Sequence, residues 1–175
     1  TAVGEGALIC NTSGTNGVAV GCGALKTNTT GSCNIALGVS ALNNNVSGNC
    51  NVAVGNLALS NQLAGNATAV GTAALRLNTS GTNNTAVGYL ALCCNTSGSN
   101  NIAIGGNTLM RNATTTRNVA VGGSVLACNV GSCNTGVGHS ALTANSSGDL
   151  NVAIGACALD ANTTADNNTA VGTLS

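Results

Sequence analysis

An internal repeat of 17 residues runs through this chain from end to end and limits the folds that the chain can adopt. Each unit contains an Ala-(Val/Ile/Leu)-Gly triplet, or Gly-Val-Gly in one copy, and the closing glycine is called the anchor below. Successive anchors lie 17 residues apart, except for two intervals of 16 residues. A short, regular repeat of this kind is typical of solenoids, in which each unit packs only against its neighbours. The anchors are Gly4, Gly21, Gly38, Gly55, Gly71, Gly88, Gly105, Gly122, Gly138, Gly155 and Gly172.

The pattern inside each unit predicts the fold class. The consensus N-(T/V/I)-A-(V/I)-G-x-x-A-L-x-x-N-T-S-G-x-x has two short extended stretches, T-A-V-G and x-A-L-x-x, separated by an Asn-Thr-Ser-Gly turn and an Asn-rich corner. Glycine corners and β-branched residues disfavour a long helix, and a chain without Phe or Trp cannot build a bulky aromatic core. We predict an all-β chain forming a single β-solenoid (β-roll) of about ten 17-residue rungs, with two short parallel-stacked strands per rung. The repeats fill residues 1–175, so we expect a single repeat domain without a capping element, on the order of 48 Å long at ~4.8 Å per rung.

Side-chain alternation predicts which residues face the interior. In the first stretch, the residues one and three before each anchor share a face, and we expect these Val, Ile and Thr side chains to point inward. The Ala between them is expected to point outward and to form a flat Ala-rich face. A leucine stands four residues after the anchor in every unit and predicts a core ladder of Leu8, Leu25, Leu42, Leu59, Leu75, Leu92, Leu109, Leu126, Leu142 and Leu159.

Asparagine recurs at both corners of the unit. Stacked amides can bond from rung to rung, and Asn tolerates the left-handed backbone that a corner needs. At the first corner we predict an Asn ladder, with Gln62 in one rung, of Asn11, Asn28, Asn45, Asn78, Asn95, Asn112, Asn129, Asn145 and Asn162. All of these except Asn129 also begin N-x-(S/T) sequons and are candidate glycosylation sites, although glycans on adjacent rungs would collide. The second column is Asn34, Asn51, Asn84, Asn101, Asn118, Asn134, Asn151 and Asn168, interrupted by Gly17 and Ala67.

The nine cysteines have a less regular placement. Cys33 and Cys50 occupy the same column in successive rungs, where a Cα separation of ~4.8 Å is within the range of a disulfide. This pair is our disulfide candidate, and Cys128 and Cys133, which flank a shortened turn, are a second pair. The alternative is that the cysteines are free and pack as small hydrophobic residues.

The ionisable residues are few and predict no catalytic or binding site. Four acidic and four basic side chains cancel, which leaves no electrostatic footprint for nucleic acid, and no apolar run approaches the ~18 residues of a membrane span. We therefore expect no nucleic-acid partner and no membrane insertion. With one histidine, His139, at a variable surface position, we predict no enzyme activity, no catalytic residue, no cofactor and no metal site.

One unit resembles a known family. The string Asn84-Thr85-Ala86-Val87-Gly88-Tyr89-Leu90-Ala91-Leu92, followed by Asn95-Thr96-Ser97-Gly98, resembles the N-T-A-I-G-Y-x-A-L-x-x-N-T-T-G repeats of bacterial and phage tail-fibre-like proteins. It is similar, more loosely, to the rungs of trimeric autotransporter adhesin heads. The resemblance implies a β-solenoid shaft at the cell surface or virion surface or in the extracellular space, often in a homotrimer.

The expected function follows from the repeat. We expect a structural protein whose partner is itself, an extracellular fibre or filament that self-assembles through uncapped solenoid ends or through the flat Ala-rich face. The first alternative is the shaft of a trimeric adhesin or tail fibre. The second is an ice-binding solenoid, which is disfavoured because the Thr residues of the first stretch alternate irregularly with Val and Ile that we expect to face inward.

Overall fold

The computed structural model describes residues 1–175 and confirms the solenoid. Eleven short strands form one parallel sheet in which each strand pairs only with its neighbours in sequence, in the order β1 to β11. Equivalent residues stack in register, as in the pairing of Ala19 with Ala36. The strands are β1 Ala2–Val3, β2 Val18–Val20, β3 Ile35–Leu37, β4 Val52–Val54, β5 Thr68–Val70, β6 Thr85–Val87, β7 Ile102–Ile104, β8 Val119–Val121, β9 Thr135–Val137, β10 Val152–Ile154 and β11 Thr169–Val171.

The second extended stretch of the unit is not a strand. The x-A-L-x-x segment forms successive turns, and every leucine of the core ladder has a left-handed backbone with φ between 49° and 52°. Neighbouring rungs still bond through it, because the Leu92 N–H donates to the Thr108 carbonyl at 3.0 Å and the Leu90 N–H donates to the Thr72 carbonyl at 3.1 Å. Leucine rarely adopts this conformation, so the absence of a strand on this side of the coil could not be predicted from the residues.

The predicted orientation of the strand residues is wrong. The alanine at the centre of the strands from β2 to β10, or Gly136 in β9, faces the interior, and Ala19, Ala86 and Ala153 are fully buried. The Val, Ile, Leu and Thr residues on either side are half-buried or exposed. The inward face of the strand is therefore an Ala ladder, and the flat Ala-rich outer surface does not exist.

The reason for this orientation is the thickness of the interior. The Ala ladder packs against the Leu ladder, whose side chains from Leu25 to Leu142 are fully buried. One β-solenoid coil has room for a leucine from the turn and a methyl group from the strand. A pair of β-branched side chains from each strand would overfill this space.

The anchor glycines let successive rungs approach closely. Gly88 has φ +136°, and a Cβ atom at this position would lie 2.5 Å from the carbonyl oxygen of Gly105 in the next rung. Only glycine fits both the backbone angle and the contact. The anchor is thus required at the point where the strand ends and the first turn begins.

Candidate functional site

The first-corner asparagines form a buried hydrogen-bonded ladder, as the sequence predicted. The Nδ2 group of Asn95 donates to Asn78 Oδ1 at 2.5 Å and to the carbonyl oxygen of Gly98 at 3.0 Å. The Nδ2 group of Asn45 has the same pair of contacts, with Asn28 Oδ1 at 2.8 Å and Gly48 at 3.0 Å. Each of these amides therefore joins its own turn to the preceding rung.

The ladder is interrupted at both of the 16-residue rungs. Asn45 Oδ1 and Gln62 Nε2, which lie on the two sides of the first interruption, are buried without a hydrogen-bond partner. At the second, no bond joins Asn112 to Asn129, and Asn129 Nδ2 donates to the carbonyl of its own turn at Gly131, at 2.7 Å. Each short rung has one residue fewer in the turn that follows the amide, and the missing bonds divide the ladder into three segments.

The second corner uses its asparagines differently. Asn84 Oδ1 accepts the backbone N–H of Asn101 at 3.0 Å, and Asn84 Nδ2 donates to the carbonyl of Gly98 at 2.7 Å. That carbonyl is the one that Asn95 also bonds. The two columns therefore meet at shared backbone carbonyls and fix the corners on this side of the coil to each other.

Burial of the first-corner asparagines limits glycosylation at the sequons. The candidate glycosylation sites Asn28, Asn45, Asn78, Asn95, Asn112 and Asn145 are at most 1% exposed. A glycan on any of these Nδ2 groups would require the ladder to open. Among the sequon asparagines, Asn11 is exposed and Asn162 is half-buried, so these two alone present an accessible amide.

The outer side of the sheet is the principal surface that the sequence interpretation missed. We call it the apolar sheet face and define it by the residues one and three before each anchor. It bears only Val, Ile, Leu and Thr, including Val87 at 37% exposure and Ile104 at 41%. No charged side chain lies in either column. Because the strands stack in parallel and in register, its two columns of mainly β-branched side chains run the length of the coil.

The cysteines are free thiols. Cys33 and Cys50 are exposed and equivalent in successive rungs, since their N–H groups donate to Thr15 and Ser32, respectively. A disulfide between them stays a prediction. Cys128 and Cys133 are also unbonded.

Cys93 and Cys94 differ from the other cysteines because their side chains are in contact. Their Sγ atoms lie 3.5 Å apart, and Cys93 is 5% exposed. Burial, reinforced by the hydrogen bond and charge of Cys94, raises the pKa of the Cys93 thiol to about 12, and the Arg76 guanidinium opposes this shift. The sequence placed these two residues in columns without a stacked cysteine but did not identify their contact, which depends on the tight turn after Leu92.

The remaining ionisable groups do not gather into a site. No three side chains of His, Cys, Asp or Glu lie in an arrangement that could hold a metal ion. His139 is exposed, and its Nδ1 lies 3.0 Å from the hydroxyl of Ser140. The structure also contains no helix with the length and apolar character of a membrane span.

Comparison with known proteins finds no family model, no curated protein and no solved structure that matches this chain. The classification supported by the residues and the structure is a parallel β-solenoid of about ten turns with an Asn ladder.

Proposed function

We propose that this protein is a non-enzymatic structural element that assembles with further copies of itself through the apolar sheet face. The observation that carries the proposal is the continuous double column of uncharged and mainly β-branched side chains, half-buried or exposed, on the outer side of the sheet. Large exposed apolar patches are uncommon on soluble monomers and commonly mark interaction sites. A second copy is the partner that matches this surface best, because neither column carries a charge that would select a charged partner.

The size of the face is at the lower limit for such an interface. Eleven strands at ~4.8 Å are about 48 Å long, and three residues across a strand give a width of about 10 Å. Two copies placed face to face would therefore bury about 960 Å², just below the roughly 1,000 Å² minimum of a specific interface, so a pair of these chains would associate weakly. Each added rung would enlarge the contact, which favours a fibre built from long arrays of this repeat.

The experiment is the association state of the purified chain, measured by sedimentation velocity over a range of concentrations. We expect wild type to self-associate and Val87→Lys to remain monomeric, since the substitution places a charge at the centre of the face. The matched control is Val46→Lys, because Val46 is 44% exposed but lies on a corner away from the sheet. A monomeric wild type with the same sedimentation as Val87→Lys would refute the proposal.

A second candidate is ice binding, which the orientation of the strand residues favours. The objection that Val and Ile face inward no longer applies, because these columns point outward and are interleaved with Thr68, Thr85, Thr135 and Thr169. The two functions separate in solution. Ice binding predicts thermal hysteresis from a monomer, whereas assembly predicts association without hysteresis.

The resemblance to tail-fibre-like repeats supports a finer proposal. In a shaft of that kind three chains would pack their apolar sheet faces about a common axis, at the cell surface or virion surface or in the extracellular space. A discrete trimer in the sedimentation experiment would favour this arrangement over an open fibre.

A further inference from the structure

The contact between Cys93 and Cys94 is a pair of sulfur donors in a fixed geometry. Their Sγ atoms are 3.5 Å apart. A metal bonded to both at about 2.3 Å, a usual metal–thiolate distance, would have a sulfur–metal–sulfur angle of about 100°. This angle leaves space on the metal for a third ligand.

The candidate for that ligand is Met110. It occupies the same place in its rung as Cys93, five residues after the anchor, and the rungs are joined there by a hydrogen bond from the Cys94 N–H to the Met110 carbonyl at 3.3 Å. Cys93 Sγ also lies 3.8 Å from that carbonyl oxygen. Met110 is the single methionine of the chain, and it is half-buried next to the only adjacent pair of cysteines.

The surroundings select the class of ion. Thiolate and thioether sulfur favour soft cations such as Cu(I), whereas Mg²⁺ and Ca²⁺ require oxygen ligands. The ionisable neighbours in the two columns are Arg76, one rung before Cys93, and Arg111, one rung after Cys94. Two thiolates and one monovalent ion carry one net negative charge, which the guanidinium of Arg76 would offset, while a divalent cation would leave the site neutral and gain nothing from it.

We propose that Cys93, Cys94 and Met110 form a binding site for one Cu(I) ion. Each thiol loses its proton to solvent on binding, and the metal–sulfur bonds replace the two S–H bonds without a change in oxidation state. The site is independent of the apolar sheet face, because it lies on the turns that follow the anchor.

The test is a competition between the reduced full-length chain and a bidentate chromophoric Cu(I) chelator under anaerobic conditions. As the chelator concentration rises, Cu(I) is removed first from isolated thiols, which offer a single sulfur ligand. An ion that is bound by several sulfur ligands is removed at a higher concentration. We expect wild type to retain one ion more than Cys94→Ser at the same chelator concentration. We expect Met110→Leu to release that ion at about tenfold lower chelator, with circular dichroism confirming that both variants keep the fold.

Three controls make the result specific to this site. Cys22→Ser and Cys157→Ser remove cysteines without a thiol neighbour and should retain as much Cu(I) as wild type. Cys33→Ser tests the stacked pair of exposed cysteines and should also behave as wild type. The proposal is wrong if Cys94→Ser retains as many ions as wild type, if the tightest ion depends on Cys33, or if Met110→Leu has no effect.

Discussion

At one place in the coil a larger side chain on the turn faces a smaller residue on the strand. This pair gives the sharpest test that the strand alanines point inward. Gly136 is the only glycine among the central strand residues. Val125 lies three residues after its anchor, a position that is alanine in every other complete rung except the one with Thr108. A Cβ atom on Gly136 would lie 2.5 Å from Val125 Cγ1. The larger side chain from the turn therefore occupies the space that the missing methyl group leaves, and this is possible only if both residues point inward.

The free energies follow from this contact. Val125→Ala removes two buried methyl groups and leaves the space unfilled, which we expect to cost about 2 kcal/mol. Gly136→Ala overpacks the site by roughly 1–3 kcal/mol, less about 0.5 kcal/mol because alanine lowers the entropy of the unfolded chain. The double variant has the Ala–Ala pairing of Ala141 and Ala153 and should be as stable as wild type within about 0.5 kcal/mol, a coupling energy of roughly 3 kcal/mol.

Urea denaturation followed by circular dichroism measures all four corners of this cycle. Both single variants should lower the midpoint, and the second substitution should restore it. If Gly136→Ala does not destabilise the protein, or if the two costs simply add, the side chains are not in contact and the inward assignment of the strand alanines is wrong.

Three further substitutions probe the ladders by the same measurement. Gln62→Asn should stabilise the protein by about 1 kcal/mol. The shorter side chain can form a hydrogen bond with its own turn, as Asn129 does, and this gain outweighs the loss of one buried methylene. A lower urea midpoint would contradict this account. Asn95→Ala removes three buried hydrogen bonds and should lower the free energy of unfolding by about 3 kcal/mol or more. The control, Asn56→Ala at an exposed asparagine, should change it by no more than about 0.5 kcal/mol. Equal effects of the two substitutions would show that the ladder does not stabilise the protein. Leu92→Asp places an unpaired charge in the core and should cost more than about 4 kcal/mol; a native melting transition would exclude its burial.

The period, the parallel stacking and the two asparagine columns could all be predicted from the sequence, because each follows from identical residues at a fixed interval. The Leu ladder could be predicted for the same reason. The orientation of the strand could not be read from hydrophobicity, since the rule that β-branched residues face inward assumes a core wide enough to hold them. The compensating pair of Val125 and Gly136 was the available signal that alanine faces inward.

The candidate surfaces were less predictable than the fold. The apolar sheet face was missed as a direct result of the inverted strand, since its residues were assigned to the core. The contact between Cys93 and Cys94 depends on the turn that follows Leu92, whose left-handed φ of 51° has no sequence signal. In both cases the residues were visible in the repeat, but the direction of the strand side chains depended on the thickness of the interior and that of the cysteines on a backbone that leucine seldom adopts.

The two short rungs give this regular coil an internal division. Hydrogen bonds between first-corner amides connect Asn11 to Asn45, Gln62 to Asn112 and Asn129 to Asn162, and none crosses the boundaries between these segments. The sheet continues through both boundaries without a change of register. The strands and the Leu ladder are common to every rung, so the missing hydrogen bonds lie at the corners. The first short rung also has Ala67 in place of the second-corner asparagine. In a solenoid, whose stability is approximately a sum of contacts between neighbouring rungs, the weakest contacts between rungs therefore lie between Asn45 and Gln62 and between Asn112 and Asn129.

The two boundaries differ in strength. At the second boundary the lost bond is partly replaced, because Asn112 Oδ1 accepts a hydrogen bond from the hydroxyl of Thr115, a residue that replaces the usual turn glycine in that rung. The first boundary has no such replacement and leaves two buried polar atoms without partners, which makes it the weaker of the two.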